Sequence, residues 1–330
     1  MYPDFLGIGA QKAGTTWLAR NLQSHPQIYM PRKEVHYFDR KVNDRSNAIG
    51  RLFGKRDVDE QWRRQVKNWA FRHAIKRPSP RNLLWDYKYY MRPYNDEWYL
   101  SVFDGKGERV AGEITPAYSV LDKDRVARVH SVAPEAKIIF MMRNPIERAW
   151  SHAVMSFDKA EKGSAESVSE AELFERLGRS STLRLTNYLR TFENWGAFYP
   201  EERVFVGFLE DIHFFPEELL GRLYSYLGVD PYFHRSLTSK KIHSRSGGTM
   251  PTSIAVHLAQ NFHDEIAQLG AQFGGYASFW LYCAERLIES PPQEQSIAYP
   301  LYESRMWEEW VESRQMEIQS GPLTSARVVG

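Results

Sequence analysis

Apolar positions in the first 230 residues fall into short β-branched runs, each followed by a helical pattern. The runs are residues 5–8, 109–113, 137–142 (KIIFMM) and 203–208 (RVFVGF). Each is the length of a strand and is bounded by turn residues or charges. Residues 122–132 (DKDRVARVHSV) and 216–227 (PEELLGRLYSYL) carry helical spacing, the second stopping at Gly228. The alternation predicts an α/β fold, a central parallel sheet flanked by helices with binding loops at the carboxyl ends of its strands.

Two segments break this rhythm. Residues 40–103 are rich in Trp, Tyr and Arg, and residues 158–172 are acidic and Ser-rich, the composition of a surface loop. Further on, Ile254, Leu258, Phe262, Ile266, Leu269 and Phe273 recur at the spacing of one amphipathic helix. From residue 291 the apolar periodicity fades except in LYESRMWEEWVE, and the chain end is expected to fray. The organisation expected is one domain over 1–250 with a basic, aromatic, helical insert at 40–103, then a helical C-terminal extension over 251–330. No internal repeat is visible.

Composition narrows the function classes. A chain of 330 residues with 42% hydrophobic and 14% aromatic content can bury a large core. A net charge of +2 gives no global attraction to nucleic acid or membrane. The single cysteine, Cys283, allows no internal disulfide and argues against structural zinc. No run approaches the roughly 20 apolar residues that span a bilayer. The first strand begins too near Met1 for a secretory signal, so a cytoplasmic location is expected. Charge is concentrated locally: residues 51–92 hold twelve Lys and Arg against four Asp and Glu. Trp62, Trp69, Phe71, Trp85, Tyr87, Tyr89 and Tyr90 are interleaved with them. These rings could stack on sugars or bases as an acceptor lid. The plainer reading is packing, because Trp62, Val66, Trp69 and Ile75 approximate one helix face.

The chemistry begins at FLGIGAQKAGTTWL. An apolar strand runs into Gly9-Ala10-Gln11-Lys12-Ala13-Gly14-Thr15-Thr16 and then a helix. The two glycines have the G-x-x-x-x-G spacing of a phosphate loop, in which backbone N–H groups and a helix N-terminus surround an anion. The lysine is displaced, however: Thr15, not Lys, follows the second glycine, and Lys12 lies inside the loop. There its charge can act on a leaving group bound to the phosphate. A second anchor is KIIFMMRNPIERAWSH. Its strand ends at Arg143, Asn144 can cap, Pro145 suits the first helical position, and Ser151 lies two turns on. Arg143 and Ser151 can converge on a second phosphate.

Together these stretches resemble the sulfotransferases that use 3′-phosphoadenosine 5′-phosphosulfate (PAPS). QKAGTTWL is similar to their 5′-phosphosulfate loop and RNPIERAWS to their R-x-P-x-x-R-x-x-S 3′-phosphate site. KEVHYFD (33–39) and GEITPAYS (112–119) resemble the glycan-modifying branch. The resemblance covers roughly residues 5–250. It implies that Gly9, Gln11, Lys12, Ala13, Gly14, Thr15 and Thr16 hold the 5′ end, that Arg143 and Ser151 hold the 3′-phosphate, and that Trp17 stacks on adenine. It also implies a late basic glycine loop closing over the nucleotide. KKIHSRSGGTMP (240–251) matches in character, with Lys241, Arg245, Gly247 and Gly248 as candidates.

The implied reaction moves a sulfuryl group to a hydroxyl or amine of a small-molecule or carbohydrate acceptor, without a metal, leaving the bisphosphate PAP. Glu34 is the expected base and His36 its competitor. Glu113 and Tyr118 are expected on the acceptor side, against a plain reading as a salt bridge and a core tyrosine. Many glycan-branch members carry Lys after the matching Glu, whereas this chain has Ile114. That removes a cation for an acidic sugar and favours a smaller acceptor. Two other classes compete. A phosphoryl-transferring ATP enzyme should place Lys after Gly14 and a carboxylate for Mg²⁺. A module binding acidic glycan or RNA would rest on the basic insert and leave the Lys12 loop unexplained. Nucleic acid and membrane are not expected partners, and oligomeric state is left open.

Overall fold

A computed structural model describes residues 2–32, 34–40, 48–55, 57–69, 80–159, 169–234 and 248–320. Five parallel strands form the central sheet: β1 (Phe5–Gly9), β2 (Ile28–Tyr29), β3 (Val110–Ile114), β4 (Lys137–Met142) and β5 (Val204–Phe208). Their order is β2-β3-β1-β4-β5. The chain winds from the central β1 first to one side and then, after β3, to the other. Its switch point is therefore the carboxyl end of β1, where ligands of such sheets bind. The parallel α/β architecture expected from the alternation is what the chain adopts.

β1 and β4 are buried on both faces, which explains their continuous apolar runs. Register places Phe5 beside Gly112 and Lys137, and Gly7 beside Ile114 and Ile139. Ile114 fills the space against Gly7, where an added Cβ would come within 2.5 Å of its side chain. A lysine after Glu113 would have to place its stem in that packed position.

The helices begin and stop where local chemistry dictates. Asn144 caps the helix Pro145–Lys159 by accepting from Ile146 N–H at 3.0 Å. Pro216–Leu227 starts on its proline and ends at Gly228 with φ of 78°. Thr252–Phe273 packs antiparallel to Gly275–Glu289, burying Ile254, Leu258, Phe262, Ile266 and Leu269.

The basic insert forms helices Ala48–Phe53, Asp57–Trp69, Pro80–Met91 and Asp96–Ser101. Trp62, Tyr89, Tyr90 and Trp98 are buried, with Trp62 Nε1 donating to Tyr90 O at 3.2 Å and Trp98 Nε1 to Tyr89 O at 2.9 Å. Packing accounts for these four rings; Tyr87 is exposed, and the Trp69 side chain, Phe71, Ile75 and most of the 158–172 segment lie outside the described residues. Beyond residue 291, where little pattern was legible, the chain forms β7 (Ser296–Tyr299) and the helix Arg305–Ser320. β7 pairs antiparallel with β6 (Gly248–Pro251). No helix among the described residues is long and apolar enough to cross a membrane.

Candidate active site

The loop after β1 is held from three sides. Ala10 N–H donates to Met141 O of β4 at 2.7 Å, and Ala13 N–H closes the turn onto Ala10 O at 3.2 Å. Gly14, at φ 80°, packs so closely that an added Cβ would meet Ile212 Cδ1 at 2.3 Å. The helix Thr15–Ser24 then starts on Gly14 without a side-chain cap and without an acidic residue in its first turn. Its dipole and first-turn N–H groups favour an anion at this point.

The helix after β4 faces that loop along one stripe. Glu147, Ser151 and Met155 are spaced four apart, so they line one face. At one end Arg143, paired to Glu147, donates from Nη1 to Lys12 O at 3.2 Å; at the other, Lys12 Nζ lies 3.7 Å from Met155 Sδ. Half-buried Ser151 sits between these two contacts.

Arg143 is buried and its fork is already engaged. Nε and Nη2 reach Glu147 Oε2 at 3.0 and 2.8 Å, and Nη2 also donates to Tyr299 Oη at 2.7 Å. Burial opposes the charge, but Tyr299 and Glu147 outweigh it and hold Arg143 above its ordinary value. Arg148 has a different task. Its Nε and Nη2 bond Thr186 Oγ1 at 2.9 Å and Thr182 O at 3.0 Å, pinning this helix to Ser180–Thr186.

On the other side of β1, the 34–39 loop is fastened to the end of β3. Glu34 N–H donates to Ile114 O at 2.9 Å. Glu113, fully buried, accepts from Val35 N–H (3.1 Å), Thr115 Oγ1 (2.6 Å), Tyr99 Oη (2.9 Å) and Tyr118 Oη (3.1 Å). Burial pushes its carboxyl up, opposed by these donors. Tyr118 in turn accepts from Tyr37 N–H at 2.9 Å. Neither Glu113 nor Tyr118 presents a surface to an acceptor; both support the loop from below.

Above them, His36 Nδ1 lies 2.7 Å from Asp39 Oδ2, and Nε2 faces Glu34 Oε2 at 3.8 Å. Burial works against the imidazolium, but bonding to Asp39 and Glu34 prevails and His36 is pushed up to about 9. It is therefore cationic at neutral pH. Among the described residues, the non-glycine residues with positive φ are Lys12 (73°), Glu34 (63°) and His36 (56°). Backbone held in this sparsely populated region is a mark of functional loops.

Gln11 and Thr16 are half-buried at the loop, while Gly9, Ala13 and Thr15 are buried within it. Trp17 is only 2% exposed, so it offers no ring face for adenine stacking in this conformation; it serves the core. Lys241, Arg245 and Gly247 lie outside the described residues, and Gly248 opens β6 opposite Tyr299. Among the described residues, no group of three or more His, Cys, Asp and Glu is placed to hold a metal ion. Asp39 and Glu147 lie within the quoted motifs without an assigned role, and Tyr299 lies outside all of them. Glu147 could have been found from its spacing of four after Arg143, whereas nothing local ties Tyr299 to a residue 156 positions earlier.

The chain is 24% identical over 246 residues to heparan sulfate glucosamine 3-O-sulfotransferase 6 of Mus musculus, covering 72% of this chain and 57% of that protein. It is 27% identical over 219 residues to carbohydrate sulfotransferase 15 of Mus musculus, covering 58% of this chain and 34% of that protein. The chain thus spans between a third and three-fifths of the length of these relatives. A crystal structure of a sulfotransferase from Alicyclobacillus acidocaldarius superimposes with a TM-score of 0.58 at 25% identity, covering 85% of this chain and 99% of that one. Residues 3–234 match the model of the sulfotransferase family, and the chain belongs to that family.

Proposed function

We propose that the protein transfers a sulfuryl group from PAPS to a hydroxyl or amine of a small-molecule or carbohydrate acceptor, with Glu34 as base. One observation carries this reading. Lys12 and Glu34, both in left-handed backbone, stand at the carboxyl ends of neighbouring strands β1 and β3, with Arg143 at the end of the other neighbour, β4. Adjacent strands lie about 4.8 Å apart, so the three ends span roughly 10 Å.

The donor set fits a phosphosulfate. An uncapped helix N-terminus free of acidic residues, a loop lysine and a buried arginine are chosen for anions. PAPS supplies an activated sulfuryl group on a phosphate leaving group. Lys12 and the first turn after Gly14 balance the charge left on the 5′-phosphate. Glu34 removes the acceptor's proton. His36, raised toward its cationic form, is the poorer acceptor for that proton; it orients Glu34 and faces developing negative charge. A role for the insert as a wall of the acceptor side is supported by its contacts with the segment that carries Glu34: Arg32 donates to Tyr90 Oη at 2.7 Å and Tyr37 Oη to Asp96.

The test is conversion of PAPS to PAP with a panel of hydroxyl and amine acceptors, for wild type, Lys12→Ala, Glu34→Gln and His36→Asn. Turnover should fall by about 10² or more for Lys12→Ala and for Glu34→Gln, and less for His36→Asn. Near-normal turnover of Glu34→Gln with loss in His36→Asn would reassign the base. No acceptor-dependent PAP release by folded wild type would remove the reading.

A further inference from the structure

The segment that follows the family-matched residues reaches back into the site. Tyr299, at the end of β7, accepts from Arg143 Nη2 at 2.7 Å, and the guanidinium lies 5.2 Å from its ring centre. Two residues on, Leu301 N–H donates to Glu147 Oε1 at 2.7 Å, while Glu147 Oε2 holds Arg143. Gly248, the second glycine of the late loop, is the register partner of Tyr299 across β6 and β7. One strand pair therefore joins this loop to the arginine of the second motif.

The donor inventory makes the contact consequential. Arg143 has five N–H groups. Nε donates to Glu147, Nη2 to Glu147 and Tyr299, and Nη1 to Lys12 O, which leaves one N–H on Nη1. A phosphate brought to Arg143 thus meets a full positive charge but a single free donor, not a fork. Tyr299 Oη accepts from Arg143, so its own hydrogen is directed elsewhere, at a site 9% exposed beside an arginine 7% exposed.

Building on the nucleotide reading above, we propose that Tyr299 is a phosphate-binding residue. Its hydroxyl donates to the 3′-phosphate of the bound nucleotide while orienting Arg143, so the segment after residue 248 adds a donor, beside that of Ser151, to a site whose arginine has a single N–H left. Arg143→Ala is a poor test, because it strands Glu147 as an unpaired buried charge, a strongly destabilising change. Tyr299→Phe removes only the hydroxyl.

The experiment is metal-free calorimetric titration of the full chain with PAP and with AMP, which lacks the 3′-phosphate. Wild type should prefer PAP. In Tyr299→Phe the affinity for PAP should fall by about tenfold or more, the loss of a hydrogen bond to a charged group, while affinity for AMP stays within about twofold. Equal loss for both ligands, or no loss for either, would show that Tyr299 only packs. Wild type that does not distinguish PAP from AMP would instead overturn the nucleotide reading and this proposal with it. If Tyr299→Phe fails to fold, 3-fluorotyrosine at position 299 gives a fluorine resonance that should move with PAP and not with AMP. A resonance indifferent to PAP would overturn the proposal.

Discussion

Glu34 gives its backbone N–H to the carbonyl of Ile114 at 2.9 Å, so the proposed base is fixed to the end of a core strand although it lies in a loop. Glu113, fully buried, secures the same loop by accepting from Val35 N–H and is itself held by the hydroxyls of Thr115, Tyr99 and Tyr118. Glu113→Ala leaves those donors without a partner, at a cost of about 1–3 kcal/mol for each one that stays unsatisfied. The expected result is a loss of at least about 3 kcal/mol in denaturant unfolding, with turnover lost even where the protein is folded. Thr115→Val, which removes a single donor, should cost far less.

His36 sets a pH dependence with a definite sign. Its folded value of about 9 lies above the ordinary 6.5, so bonding to Asp39 and Glu34 stabilises the fold fully below about pH 6.5. That contribution is lost as pH rises through about 9. His36→Asn keeps a residue suited to the left-handed conformation at φ 56° but carries no charge. The Tm difference between wild type and His36→Asn should therefore narrow steadily from pH 6.5 to 9.5. A difference that widens over this range would contradict the assigned ion pairs.

Gly14 is required on two counts, its φ of 80° and the 2.3 Å approach of Ile212 Cδ1 to an added Cβ. Gly14→Ala should abolish nucleotide binding and cost about 1–2 kcal/mol from backbone strain, before any clash. Adding Ile212→Ala removes the 2.3 Å contact but leaves the strain and the 3.1 Å approach of Leu209 Cδ1. The double variant should recover part of the stability, and full recovery would show that conformation at Gly14 is unimportant.

Glu210 is buried beside the site, with Oε1 accepting from Trp280 Nε1 at 2.6 Å and Oε2 without a partner. Burial first, and then the Glu147 charge, push it up to about 8. A carboxyl raised in the fold loses stability as pH climbs from about 4.5 to 8, because ionisation is opposed there. Glu210→Gln should leave Tm unchanged near pH 4.5 and raise it by at least about 2 °C at pH 8. A lower Tm at pH 8 would mean that the charge is used by the fold.

How far the chain could be read in advance follows from the range of each interaction. KIIFMM, RVFVGF and PEELLGRLYSYL declare their elements because periodicity and capping are local, and β4 and the helix ending at Gly228 stand where expected. The displaced lysine of GAQKAGTT also identified the loop, since spacing within a turn is local. Glu113 was expected on the acceptor side and is instead a buried hub, which no local pattern could show, because its donors come from residues 35, 99, 115 and 118. Trp17 read as a stacking ring because a motif records residue type and not which way the helix faces. Tyr299 was hidden by distance along the chain, and β7 by being only four residues long.

The most direct measurement is calorimetric titration of wild type with PAP in EDTA, set against ATP with Mg²⁺. The arrangement of Lys12, Arg143 and the first turn after Gly14 predicts tight, metal-independent binding of PAP and much weaker binding of ATP. Preference for ATP with Mg²⁺, or no nucleotide binding by correctly folded protein, would contradict it.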